Sequence, residues 1–98
     1  MANKKFDGLI EAVRYRPDGN IELVRAYERR GATFSDVILI DRARLVKRLK
    51  SGQIFVTGSR TAFLGSTFVT AKTVRLNGEM ITTNGDSSRD NLEEVPRI

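Results

Sequence analysis

The chain contains no cysteine and no histidine. Without cysteine there are no disulfides, no thiolate nucleophile and no Cys-based zinc site. Without histidine there is no Ser-His-Asp catalysis and no imidazole metal centre. The remaining catalysts are carboxylates, lysines and tyrosines. Paired carboxylates occur as Glu93-Glu94, Asp86/Asp90 and Asp36/Asp41. The first two lie in a polar C-terminal run, where no dry pocket would tune them. Asp86-Ser88-Asp90 echoes alternating calcium ligands, but Asn91 and Arg97 stand where such a loop needs glycine and glutamate. The chain therefore reads as a binding or structural protein, not an enzyme, with no cofactor and no metal.

Long apolar runs are missing too. The N-terminal MANKKFDGLIEAV is broken by Asp7 and Glu11, unlike the core of a signal peptide. Nothing approaches the ~20 apolar residues of a membrane span. No Walker A, dinucleotide or zinc spacing occurs, and the RNA-binding signature of RRM domains is absent. A soluble, cytoplasmic protein is expected.

What is present is charge on an ordinary globular background. The 98 residues are 40% hydrophobic, enough for one domain with a modest core. Lys and Arg number 17 against 12 Asp and Glu, a net charge of +5. Residues 1–76 hold 15 of the basic and 7 of the acidic residues, a net of +8; residues 77–98 hold 2 and 5, a net of −3. A body this basic favours an anionic partner: nucleic acid, an anionic lipid surface or an acidic protein. The acidic segment could fold back over it as an internal competitor.

Pro17-Asp18-Gly19 separates two strand-like runs, Phe6 to Arg16 and Ile21 to Glu28. Proline suits the first turn position and glycine the left-handed one of a three-residue hairpin loop. With Arg16 opposite Asn20, Leu9 meets Tyr27, Val13 meets Leu23 and Tyr15 meets Ile21. Glu11 then meets Arg25, and Arg14 meets Glu22. Each of those pairs is favourable. In Ala26 to Asp36, AYERRGATFSD, residues from Arg29 on read as a polar connection, with Phe34 plugging the core. Val37 to Ile40, VILI, reads as a strand buried on both faces.

Asp41 is a plausible helix N-cap, and residues 42–50 the one helix, ended by Ser51-Gly52. Leu45, Val46 and Leu49 share the face that should dock on the sheet. Arg44, Lys47 and Arg48 point away from it, and no acid within residues 42–50 neutralises them. Such clusters bind phosphate backbones through charge and counterion release. Arg29 and Arg30 would join them if the fold brings them near.

Ile54 to Thr57 and Phe68 to Leu76 read as further strands. Asn77-Gly78 turns the chain into a last strand, Met80 to Thr83, with Val74 facing Ile81. The loop between the first two of these strands carries Arg60 beside Phe63, the pairing that base stacking uses, although Phe63 with Leu64 reads first as pinning the loop to the core. The expected fold is mainly β (α+β): a small bent barrel, or a compact antiparallel sheet of five to six strands, with one helix at about 41–51. Residues 1–83 would form the globular domain, and 84–98 a polar acidic tail, disordered or loosely docked. The expected function is non-sequence-specific binding of an RNA or DNA phosphate backbone through Arg29, Arg30, Arg44, Lys47, Arg48 and Arg60. The alternative is a protein-interaction or structural module, self-associating through a strand edge or the tail.

Overall fold

The Pro17-Asp18-Gly19 turn sets the first hairpin as the sequence indicates. Gly19 takes φ 92°, the Arg16 N–H donates to Asn20 O at 2.7 Å, and Asp18 Oδ1 accepts from the Asn20 N–H at 2.9 Å. The computed structural model describes residues 6–30, 33–34, 37–61, 67–83, 90–93 and 95–98. The hairpin strands are β1 (Gly8–Tyr15) and β2 (Ile21–Arg30).

Their register matches the expected one at both ends, with Leu9 opposite Tyr27 and Tyr15 opposite Ile21. Between, it slips by one: Val13 meets Val24 and Arg14 meets Leu23. Glu11 is the extra residue on β1 and Glu22 the extra residue on β2. A bulge turns its strand, so Ile10 and Val13, three apart, both join the larger core cluster. An unbroken period of two would have sent one of them to the other face. The Glu11–Arg25 ion pair survives at 3.0 Å, and the Tyr27 hydroxyl donates to Glu11 Oε2 at 3.3 Å.

Along the other edge of β2 run β3 (Thr33–Phe34) and β4 (Ile38–Asp41), both antiparallel to it. VILI is therefore an outer strand and not one buried on both faces: Ile40 is buried, but Leu39 is 60% and Val37 43% exposed. Helix α1 (Arg42–Lys50) then crosses the sheet. Its Leu45 is buried, and Val46 and Leu49 pack on the same core. Because the chain returns through a helix, β5 (Phe55–Thr61) enters parallel to β1. The sheet is thus mixed, not wholly antiparallel. β6 (Thr67–Asn77) and β7 (Met80–Thr82) complete the order β3-β2-β1-β5-β6-β7, with β4 beside β2. The sheet does not close into a barrel. No helix among the described residues is long and apolar enough to cross a membrane.

The last hairpin turns one residue later than Asn77-Gly78 suggests. Asn77 pairs with Met80, and Leu76 rather than Val74 faces Ile81. Gly78 carries the positive φ of 66°. The shift sets Leu76, which packs on the core, opposite fully buried Ile81.

The segment read as a polar tail differs most from expectation. Residues 84–89 lie outside the described residues, but Asp90 and Leu92 are buried. The Asn91 N–H donates to Ile81 O at 2.8 Å, and the Thr83 N–H donates to Asn91 O at 3.0 Å. Further on, the Val13 N–H donates to Pro96 O and the Ile98 N–H to Val13 O, both at 2.9 Å. The reason is geometric. β5 leaves β1 after Ile10, and the backbone of Val13 needs another partner.

Asp90 closes the structure. Its Oδ2 accepts from the Ile21 N–H at 2.8 Å and Arg42 Nε at 2.7 Å. Its Oδ1 accepts from the Ile81 N–H at 2.9 Å and Arg42 Nη2 at 3.0 Å. Arg42 Nη2 also donates to Glu79 O at 2.6 Å. Burial alone would push the Asp90 carboxyl up. The hydrogen bond from Arg42, then those from the Ile81 and Ile21 amides, outweigh burial and hold it below the usual carboxylate range. The bond to Asp90 likewise raises Arg42.

Two outcomes follow. Asp90→Asn sets an amide nitrogen against N–H donors; it should cost about 3–5 kcal/mol, nearer the lower figure because Arg42 keeps 20% of its side chain exposed. A carboxyl lowered on folding stabilises fully above its unfolded pKa of about 3.9, and that contribution is lost as pH falls through its lower folded value. Wild-type stability should therefore decline below about pH 5 with a share from Asp90 of at most ~1.4 kcal/mol per pH unit, and the variant should lack that share. Urea titrations across pH check both. The second outcome concerns Gly8. A Cβ there would stand 2.7 Å and 2.8 Å from Cζ and Cδ2 of the Phe55 ring, and Phe55 is fully buried. Gly8→Ala should destabilise by about 1–3 kcal/mol or more, seen as a lower urea midpoint.

Candidate anion-binding face of helix α1

The helix is capped at both ends by its own sequence. Asp41 Oδ1 accepts from the Arg44 N–H at 2.9 Å, as an N-cap should. At the other end the Gly52 N–H donates to Leu49 O and the Gln53 N–H to Arg48 O, both at 3.2 Å. Gly52 supplies the φ of 97° that this closure needs. The Ser51 hydroxyl donates to Arg48 O at 2.7 Å. The last turn is thereby fixed, and with it the stems of the basic side chains.

Arg44, Lys47 and Arg48, at i, i+3 and i+4, line one open cleft of about 420 Å³ together with Ser51 and Gln53. Their charges are unequally available. Arg48 Nε donates to Glu28 Oε2 on β2, an ion pair with both side chains largely covered. Arg44 lies 3.8 Å from Asp41 and stays 71% exposed, a contact worth little in water. Lys47 is exposed and has no ion-pair partner among the described residues. With Lys50, four cations face two acids, a local net of +2. The helix C-terminus opposes an anion with about half a charge. The side chains therefore decide the sign, and the cleft is positive.

The other expected site residues are distributed differently. Arg29 lies inside β2, not in a loop, and Nε donates to Phe6 O at 2.8 Å. Its guanidinium stands 5.8 Å from the centre of the Phe6 ring. Phe6 packs on the cluster of Leu9, Tyr27 and Val56, apart from the main core under the helix. Strand alternation thus sends Arg29 to the sheet face opposite the helix, while its neighbour Glu28 meets Arg48. The backbones of Arg30 and Arg60 pair with Thr33 and Phe68. Their side chains lie outside the described residues, as do the side chain of Phe34 and the loop 62–66 with Phe63 and Leu64. The described acids of the C-terminal segment are directed elsewhere than at the helix face. Asp90 meets Arg42, and Glu93 meets Lys72 at 3.3 Å.

Sequence reasoning missed Glu28 as a partner of Arg48, because 20 residues separate them. It set Asp90 aside as a tail carboxylate and gave Arg42 no role. The available signal was Leu92, Val95 and Ile98, apolar positions that a wholly solvated tail has no use for. Among the described residues no group of three or more carboxylates could hold a metal ion. Comparison with protein-family models, curated proteins and solved structures gives no match.

Proposed function

We propose that the protein is a small basic binding module that engages the phosphate backbone of nucleic acid, without reading sequence, through Arg44, Lys47 and Arg48. The observation that carries this is that the three cations share one open cleft on a helix capped at both ends. Backbone contacts of this kind fix position and carry no base information. We place this activity in the cytoplasm.

The test is a salt series with labelled single-stranded RNA, single-stranded DNA and duplex DNA. With Arg48 held by Glu28, two phosphates neutralised by Arg44 and Lys47 give a slope of log affinity on log salt of about −1.4 for single strands and −1.8 for duplex. Between ~50 and ~200 mM salt, affinity should then fall roughly 7- to 12-fold. Arg44→Glu with Lys47→Glu should abolish binding and leave the fold intact, since the Arg48–Glu28 pair is untouched. No binding at ~50 mM salt sinks the proposal.

A second reading rests on β4. That strand pairs with β2 and with no other strand among the described residues, and it presents Leu39 to water beside exposed Val37 just before it. Such an edge pairs readily with another strand. If it is an interface, light scattering should show a mass above 11.0 kDa that Leu39→Lys returns to the monomer. A monomer at high concentration removes this reading.

A further inference from the structure

A second cleft, of about 320 Å³, opens at the far end of the first hairpin, between the turn and the C-terminal segment. Tyr15, Arg16, Asn91 and Arg97 face into it, over a floor formed by Asp90. Its parts are chemically specific. The Arg97 guanidinium stands 5.1 Å from the centre of the Tyr15 ring, a cation–π pair. The ring is held from behind, because its hydroxyl accepts from the Leu92 N–H at 3.1 Å. Arg97 is carried there by the backbone bonds of Pro96 and Ile98 to Val13. Neither Arg16 nor Arg97 has an ion-pair partner among the described residues. The Asn91 carboxamide bonds to nothing among them, although its backbone is fully engaged with Ile81 and Thr83. The Asp90 carboxylate is wholly covered, and its charge is met by Arg42 and by the Ile21 and Ile81 amides.

We propose that this cleft binds a nucleotide unit: the base stacks on the Arg97–Tyr15 pair, the Asn91 amide meets the base edge, and Arg16 meets the phosphate. Guanidinium planes and aromatic rings are the stacking surfaces that unpaired bases use. A carboxamide offers both a donor and an acceptor to a base edge. The volume lies at the small end of the range for ligand sites, suited to one nucleotide and not to a duplex. The unit can come from a free mononucleotide or from a single strand. This inference stands apart from the helix face, which shares no lining residue with this cleft and holds no aromatic ring.

The experiment is an amide NMR titration of the full chain with adenosine 5′-monophosphate, inorganic phosphate and a short single-stranded oligonucleotide. The amides of Arg16, Gly19, Asn91 and Arg97 should shift with the mononucleotide. Its affinity should exceed that of inorganic phosphate by roughly tenfold or more, the contribution of stacking. Arg97→Ala, an exposed position whose backbone bonds remain, should erase that difference. Arg16→Ala, a second exposed change, should weaken both ligands. An oligonucleotide binding at least tenfold tighter than the mononucleotide identifies a strand as the source, and equal affinity identifies the free nucleotide; either upholds the site. Phosphate and mononucleotide binding equally, or Arg97→Ala binding the mononucleotide as wild type does, overturns it. The Arg44→Glu/Lys47→Glu protein should keep the cleft shifts, so the two sites fail or succeed separately.

Discussion

A buried carboxylate is expensive unless every lone pair is used. Asp90 meets that condition with four N–H donors, two from Arg42 and one each from Ile21 and Ile81. Those donors come from the start of β2, the start of α1 and the last strand, as far as 69 residues from Asp90 in sequence. The interaction therefore fixes where the helix begins relative to the sheet. It also determines where the C-terminal segment must lie, since Asn91 then falls beside Thr82 and Leu92 enters the core. Removing the carboxylate would orphan two backbone amides and a guanidinium together. This is why a run that looks polar and dispensable is built into the sheet.

The rest of the sheet is shaped by bulges. Where β6 bulges opposite Thr57, the buried Thr57 hydroxyl accepts from the Lys72 N–H at 3.1 Å and lies 3.4 Å from Lys72 O. A side chain thus restores what the ladder loses there. The Glu11 bulge does the corresponding work in β1, sending Ile10 and Val13 to one side. The divergence of β5 from β1 beyond Ile10 then opens the stretch of edge that Pro96 and Ile98 occupy. Arg97 owes its place over Tyr15 to this chain of causes. The candidate nucleotide cleft is in that sense a by-product of how the sheet completes its own hydrogen bonding.

Local chemistry made the hairpin loop, the helix and both of its caps legible. Pro17, Gly19, Asp41 and Gly52 each act on neighbours within four residues, which is the range over which sequence speaks directly. The strands were legible as elements, but not always in register. Bulges at Glu11 and Glu22 trade an ideal local pattern for burial, and burial is decided by the whole fold. VILI reads as a fully buried strand because apolar content alone implies two covered faces. Its place at the edge follows from topology, which one sequence does not reveal. The basic trio on the helix was legible from spacing. The Arg48–Glu28 pair and the Arg42–Asp90 clamp were not, because they join residues 20 and 48 apart.

Net charge overstates what this protein can offer a polyanion. Of its basic side chains, Arg25, Arg42, Arg48 and Lys72 are already engaged by acids, and Arg29 is held by Phe6. Among the described residues, Arg44 and Lys47 share the outer turn of α1 and Arg16 and Arg97 the end of the first hairpin, while Arg14 and Arg75 stand exposed on strands apart from either cleft. Neither presents more than a few phosphate contacts. Electrostatic binding on that scale belongs with non-specific affinities of about 10⁻⁴–10⁻⁶ M at physiological salt. Tighter binding would need the two places to act on one strand, where the second contact becomes intramolecular and its effective concentration rises. The cleft at the end of the hairpin, about 320 Å³, has room for one unpaired base and not for a base pair, so the two proposed sites together suit a single strand by shape more than by total charge.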